Sequence, residues 1–254
     1  MGELVRPLVP AKTNLIKRAH AIKPFKSIAD LGACWGVNGG YTFFALDQYP
    51  LERAHLVDVR ITDVTRAKAG AYRNLVLHQA DFRQPRVAAE IGPVDAVFLF
   101  DILVHQANPD WDDLLRTYAP QTEMFLLFHQ SFTASRKTVR LLDLGLEEYL
   151  RQTPYKYAND SEKIERWFRT LDEMNPRFGV RNRDIPGFWQ WGVTDRDLIM
   201  LMWSLGFEVE YMENYGGWPQ LPSFENHGFI FCKRQTVETM AGTREATLAA
   251  RFSA

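Results

Sequence analysis

The chain has 254 residues, 46% of them hydrophobic and 24% charged, which suits one large α/β domain or one domain carrying a sizeable insertion. A formal net charge of −1 gives no basic footprint for nucleic acid or an anionic membrane, and the two cysteines, Cys34 and Cys232, make no disulfide framework. Residues 1–10 lack a signal-type apolar core and no run of 18 apolar residues occurs, so we expect a cytoplasmic chain with no membrane span.

Residues 11–23 place Leu15, Ile16, Ala19 and Ile22 at helical spacing before Pro24, which predicts a helix leading into the first strand. That strand, Ser27 to Leu31, runs into the turn Gly32-Ala33-Cys34-Trp35-Gly36-Val37-Asn38-Gly39 and then a helix over residues 40–48. A glycine-rich turn between strand and helix lets backbone N–H groups face a ligand with no side chain in the way. Ala54 to Val59 is a second strand, and Asp58, 22 residues past Gly36, stands where a carboxylate accepts both hydroxyls of a ribose. A helix over 61–73 follows, then a third strand, Leu75 to Phe82, ending in Asp81-Phe82.

Val94 to Phe100 is a continuous apolar run of the kind buried on both faces of a parallel sheet, and it ends in Asp101-Ile102-Leu103-Val104-His105. Trp111 to Tyr118 is the next helix, and Glu123 to Phe128 a fifth strand ending at His129-Gln130-Ser131. Strands alternating with helices at this rhythm predict right-handed βαβ units, with helices on both faces of a doubly wound, mostly parallel sheet. Ligands collect at the carboxyl ends of such strands. Asp30, Asp58, Asp81, Asp101 and His129 all stand there.

Residues 133–192 break the rhythm. They predict a helix over 138–150, with Val139, Leu142, Leu146 and Leu150 on one side, and another over 161–174, capped by Ser161. An arginine-rich aromatic stretch follows, containing Arg177, Arg181, Arg183, Trp189 and Trp191. Thr194 then caps a helix stopped by Gly206, and strands Phe207 to Met212 and Gly228 to Cys232, joined by a non-helical loop, give a late antiparallel hairpin. We therefore divide the chain into a core (1–132 and 193–234), a helical insertion (133–192) and a polar tail (235–254).

The block Asp30-Leu31-Gly32-Ala33-Cys34-Trp35-Gly36, with Asp101 and His105 four residues apart after a buried strand, resembles the class I S-adenosylmethionine-dependent methyltransferases. Cys34 stands where the commonest version of that motif has its middle glycine. The resemblance spans residues 27–132 and, more loosely, 193–234. It implies a seven-stranded sheet closed by the late hairpin, and S-adenosyl-L-methionine as cofactor. It further implies a cofactor set of Asp30, Gly32, Ala33 and Gly36 at the turn, Asp58 and Val59 after the second strand, Asp81 and Phe82 at the adenine, and Phe100.

Methyl transfer needs an aligned acceptor and, for a hydroxyl, a proton acceptor. His129, preferred for its place beside the insertion, and His105 are the candidate bases, and Asp101 is a candidate to orient a substrate hydroxyl. A single acid there without a matching partner set predicts no metal. Arg177, Arg181, Arg183, Trp189 and Trp191 are candidates to bind a polar or anionic acceptor with flat apolar surfaces. The insertion holds nine acidic and eleven basic residues, too balanced for a phosphate-tracking surface. A small-molecule acceptor with oxygen as the favoured atom is the leading expectation. The alternatives are methylation of an RNA or protein nitrogen and a non-catalytic binding module, and a homodimer is left open. A nicotinamide dehydrogenase fits less well, because the spacing is G-x-x-x-G-x-x-G and no Tyr-x-x-x-Lys pair is present. No Gly-Lys-Ser or Gly-Lys-Thr follows a glycine turn, which excludes a P-loop.

Overall fold

The computed structural model describes residues 6–153, 161–186 and 188–235. Helix α1 (Pro10–Ile22) precedes β1 (Ser27–Leu31), α2 (Gly40–Gln48), β2 (Arg53–Asp58), α3 (Asp63–Ala69), β3 (Leu75–Gln79), α4 (Pro85–Ile91), β4 (Val94–Phe100), α5 (Trp111–Tyr118) and β5 (Thr122–Phe132). A two-residue ribbon of β6 (Val139–Arg140) and β7 (Trp191–Gly192) brackets α6 (Leu146–Gln152) and α7 (Ser161–Arg169). Helix α8 (Asp195–Ser204), β8 (Phe207–Trp218) and β9 (Leu221–Lys233) complete the described residues. The sheet order is β3-β2-β1-β4-β5-β9-β8. Its first five strands are parallel, and β9 and β8 close it antiparallel.

Side chains of a strand alternate between faces, so each central strand contributes to two cores. On one face Val97, Leu99, Phe125, Leu127, Phe229 and Phe231 pack with residues of α4, α5 and α8. On the other, Phe98, Phe100, Met124, Leu126, Phe128 and Ile230 pack under α1 and α2. This two-sided burial is why β4 reads as an unbroken apolar run.

Three predicted elements are corrected. The expected helix over 138–150 is broken, because Val139 and Arg140 pair with β7 and Gly145, at φ +84°, separates a 3₁₀ turn at Leu141–Leu144 from α6. The helix expected to reach 174 ends at Arg169, and Ser161's capping side chain lies outside the described residues. The late hairpin carries no loose loop: β8 and β9 pair to within two residues of each other, with register shifts between Val209 and Tyr211 and around Gly217, where glycine admits the backbone oxygen of Phe224. Helix α4, which the sequence pattern passes over, begins with Pro85 at its first turn and ends at Gly92, φ +68°. A satellite core of Phe132, Leu141, Tyr149, Ile164, Trp189 and Phe224 joins the insertion to the far ends of β5 and β9. Of the tail, residues 236–254 lie outside the described residues.

Candidate active site

The turn after β1 is built on left-handed residues: Gly32, Gly36, Asn38 and Gly39 have φ of 73°, 70°, 50° and 77°. Cys34 is not among them, so no glycine is required at that position. Gly32 is required on two counts, since a Cβ there would also lie 2.6 Å from Ile102 Cδ1. The Gly32 and Ala33 N–H groups donate to Val57 O at 2.8 and 3.3 Å, which pins the turn against the end of β2. Burial pushes the Cys34 thiol up to about 11, so it is an inert packing group.

Asp58 closes β2 beside that turn. Its carboxylate accepts from the Cys34 N–H at 2.8 Å and the Arg60 N–H at 2.9 Å, so its position is fixed by backbone on both sides. Val59, next along, is 62% exposed and free to lie against a flat ligand face. Asp30, 2% exposed, accepts from the Thr42 hydroxyl of α2 at 2.7 Å, and burial raises its carboxyl to about 6. Asp81 is gripped by Arg83 through two side-chain bonds of 2.9 and 2.6 Å and one backbone bond. Burial pushes its carboxyl up, but these bonds and the guanidinium charge outweigh burial and hold it below the usual range. Phe82 packs partly buried beside Gly32, on the core of the α5 face.

At the end of β4 the backbone turns sharply. Asp101 has φ +59°, and its N–H donates to Phe128 O at 2.7 Å. Its side chain, 43% exposed, accepts from Lys12 Nζ and from Gln130 Nε2, the latter at 2.8 Å. Phe100 forms the floor, edge-on to Tyr41 at 5.1 Å. His105 lies in a 3₁₀ turn with Nδ1 3.0 Å from Phe188 O; the ring N–H must donate to that carbonyl, so the basic lone pair resides on Nε2.

His129 is placed elsewhere. Strand β5 continues past β4 to Phe132, pairing His129 with His227, and alternation sends Gln130 toward Asp101 but His129 to the opposite face, under α8. There it is 1% exposed and 3.9 Å from Asp195, with no hydrogen-bond partner on either ring nitrogen; burial holds its pKa down at about 4. Asp195 instead accepts from Ser131 at 2.6 Å and lies 2.8 Å from His227 Nδ1; its charge and that of Glu225 outweigh burial and raise the His227 pKa. The expectation of His129 as a base open to a substrate is therefore corrected: it is itself fully buried, beside the partly exposed Asp195 and its partner His227.

The insertion residues separate likewise. Trp189, 3% exposed, packs edge-on against Phe224 at 4.7 Å and belongs to the satellite core, which corrects its expected place on an acceptor surface. Trp191 lies in β7, its ring 5.8 Å from the Arg140 guanidinium. Arg183 is engaged with Asp143 and, at 3.6 Å, Asp172. Arg177 is exposed over Phe178. Arg181, more than half exposed, lines a polar cleft of about 330 Å³ with Asn108, Asp110, Asp113, Arg140 and Asp184.

The residue most clearly missed by the sequence reading is Lys12. A signal for it was present: Lys12, Leu15, Ile16 and Ala19 share one helical face, and a lysine on an apolar face is rarely buried unless paired. Among the described residues no cluster of three or more metal-ligating side chains occurs, and no helix is long and apolar enough to cross a membrane.

Comparison with solved structures identifies the architecture as the class I methyltransferase fold. The N-terminal domain of EvdMO1, crystallised in the presence of SAH and D-fucose, matches with a TM-score of 0.56 and 15% identity over 90% of this chain and 85% of that one. An O-methyltransferase family protein from Burkholderia thailandensis matches at 0.52 and 14%, covering 89% of this chain and 56% of that longer one. The 1,6-didemethyltoxoflavin-N1-methyltransferase of the same organism, with its substrate and S-adenosylhomocysteine bound, matches at 0.51 and 12%, over 89% and 78%. No protein-family model and no curated protein sequence matches the chain.

Proposed function

We propose that the chain is an S-adenosyl-L-methionine-dependent methyltransferase acting on a small molecule, with a hydroxyl oxygen as the favoured acceptor. One observation carries the reading. The Asp58 carboxylate is held by two backbone N–H groups, one of them from the glycine turn, so turn and acid form a single cradle at adjacent strand ends. The cradle fits a nucleoside: Gly32 and Gly36 bring no side chain of their own to the turn, and a carboxylate retains lone pairs for ribose hydroxyls after accepting two bonds. Val59 and Phe82 offer apolar faces for the base. The bound cofactor would supply an activated methyl group on a sulfonium, leaving as a neutral thioether once the acceptor bond has formed.

The chain's own task is alignment and removal of a proton. Asp101, partly exposed where β4 ends, is the group we assign to orient the acceptor hydroxyl. His105, with its lone pair on Nε2, is the base assigned to take the proton, directly or through water. The insertion selects the acceptor, with Arg181 and the polar cleft as its contribution. The toxoflavin enzyme with bound 1,6-didemethyltoxoflavin gives this fold a precedent for a small-molecule acceptor.

Calorimetry with S-adenosylhomocysteine tests the cradle. A hydrogen bond to a charged group contributes about 1.5–3 kcal/mol, so Asp58→Ala should weaken binding about tenfold or more. Wild-type affinity in a variant with an unchanged circular dichroism spectrum overturns the assignment.

A further inference from the structure

We propose that Lys12 is a specificity residue of the cofactor compartment, whose ammonium sets how strongly the site prefers the charged sulfonium over the neutral thioether. The inference rests on the cofactor reading above and adds a residue to it.

Three observations place Lys12 in that compartment. First, its carrier is tied to the glycine turn: the Arg6 N–H donates to Gly36 O at 2.8 Å, and the Val9 N–H donates to the Tyr41 hydroxyl at 3.1 Å. The Arg6 side chain also covers Gly36, and Leu8 covers Gly40. Second, the ammonium is enclosed. Its side chain is 7% exposed, and Nζ lies 5.5, 5.9 and 5.0 Å from the ring centres of Tyr41, Phe100 and Phe128, with Asp101 as its ion-pair partner. Third, both Asp58 and Lys12 act on Asp30, the first raising and the second lowering its pKa, so one field spans the ribose acid, the turn acid and the lysine.

The consequence follows from charge. Among the described residues, three carboxylates, Asp30, Asp58 and Asp101, stand at the ends of β1, β2 and β4, with the Lys12 ammonium paired to Asp101 and the Arg6 side chain beside Gly36 as the cations near them. S-adenosylmethionine and S-adenosylhomocysteine differ by one methyl group and one unit of positive charge, so any nearby fixed charge acts on their affinity ratio. Lys12 disfavours the cation and thereby limits how far the acidic compartment holds the methyl donor over its product. A buried lysine kept by three rings and one carboxylate has a desolvation cost that structure alone does not require, since Leu or Met would fill this apolar helix face.

The test is calorimetry of both ligands on the full chain. A unit charge about 10 Å away, at the effective dielectric of a protein site, changes an equilibrium about tenfold. Lys12→Met should therefore shift the affinity ratio about tenfold toward S-adenosylmethionine, while Lys12→Arg keeps it within about threefold. Asp101→Asn, which leaves the ammonium uncompensated, should move the ratio the other way. It also keeps the test decisive if Lys12→Met does not fold. Unchanged ratios in the folded variants, both ligands still binding, overturn the role of Lys12. Failure of the wild type to bind either ligand overturns instead the cofactor reading, and this inference with it.

Discussion

Asp30 shows how one residue type serves two ends at this turn. Buried and bonded to Thr42, its carboxyl has a pKa of about 6 against an ordinary 3.8, with burial as the main cause. The folded chain therefore binds the proton more tightly than the unfolded chain, and the stability this confers is present at low pH and lost as pH rises through about 6. Asp30→Asn removes that dependence. Its melting temperature relative to wild type should rise between pH 4.5 and 7.5 by the equivalent of roughly 2 kcal/mol, while the altered Thr42 bond lowers it by about 1 kcal/mol at both pH values and leaves the rise unchanged. A difference that stays flat across this range shows that Asp30 is not desolvated. The positions of Asp30, Asp58, Asp81 and Asp101 were legible because strand ends and acids are local in sequence. Their partners were not: Lys12 reaches Asp101 across 89 residues, and no local pattern carries such a contact.

At the level of elements, period and punctuation located the strands of the sheet, and they failed where tertiary pairing overrides local preference. Val139 and Arg140 carry a helical pattern yet are captured by β7, and Gly145 ends what that pattern would continue. For β5 the apolar run stops at Phe128 while the strand does not, because β9 pairs with it through Phe132. That extension decides the fate of His129, since parity along the strand, fixed by pairing, turns it away from Asp101. The junction of turn and α2 gives a sharper test. Gly39 caps α2 at φ +77°, and a Cβ there would lie 2.4 Å from Leu56 Cδ1, which is fully buried. Left-handed strain of about 1–2 kcal/mol and overpacking of about 1–3 kcal/mol add up, so Gly39→Ala should lower the melting temperature by roughly 5–10 °C. Gly92→Ala, at φ +68° and ψ −165° with nothing within 4 Å of the added carbon, should lose only backbone strain, about 1–3 kcal/mol in a region nearly confined to glycine. A loss in Gly39→Ala of no more than about 1–2 kcal/mol, the left-handed strain alone, would mean that Leu56 yields and the turn is softer than its packing implies.

Across the whole molecule, the question is whether the insertion is a separate unit or part of one cooperative fold. Its hydrophobic residues argue for the second. Trp189 packs on Phe224 of β9, Leu141 and Tyr149 share a core with Phe132 of β5, and the Gln190 N–H donates to Val104 O at 2.8 Å, beside the end of β4. A segment whose core is completed by the central sheet should not melt alone. Unfolding by urea should thus follow one transition, and Trp189→Ala, which empties a large buried site, should shift it by about 3–5 kcal/mol. Arg181 is the counter-case: its side chain is 58% exposed and 3.9 Å from Asp172, so Arg181→Ala should stay within about 0.5 kcal/mol of wild-type stability. Its affinity for S-adenosylhomocysteine should remain within about threefold, because the cradle lies at the ends of β1 and β2. Turnover in a screen of hydroxylated acceptors should then fall in Arg181→Ala by a factor that the cofactor affinity does not share. Two transitions, with the first lost in Trp189→Ala, would make the insertion an autonomous unit. Unchanged turnover in Arg181→Ala would move acceptor recognition away from the cleft, toward Asp101 and His105.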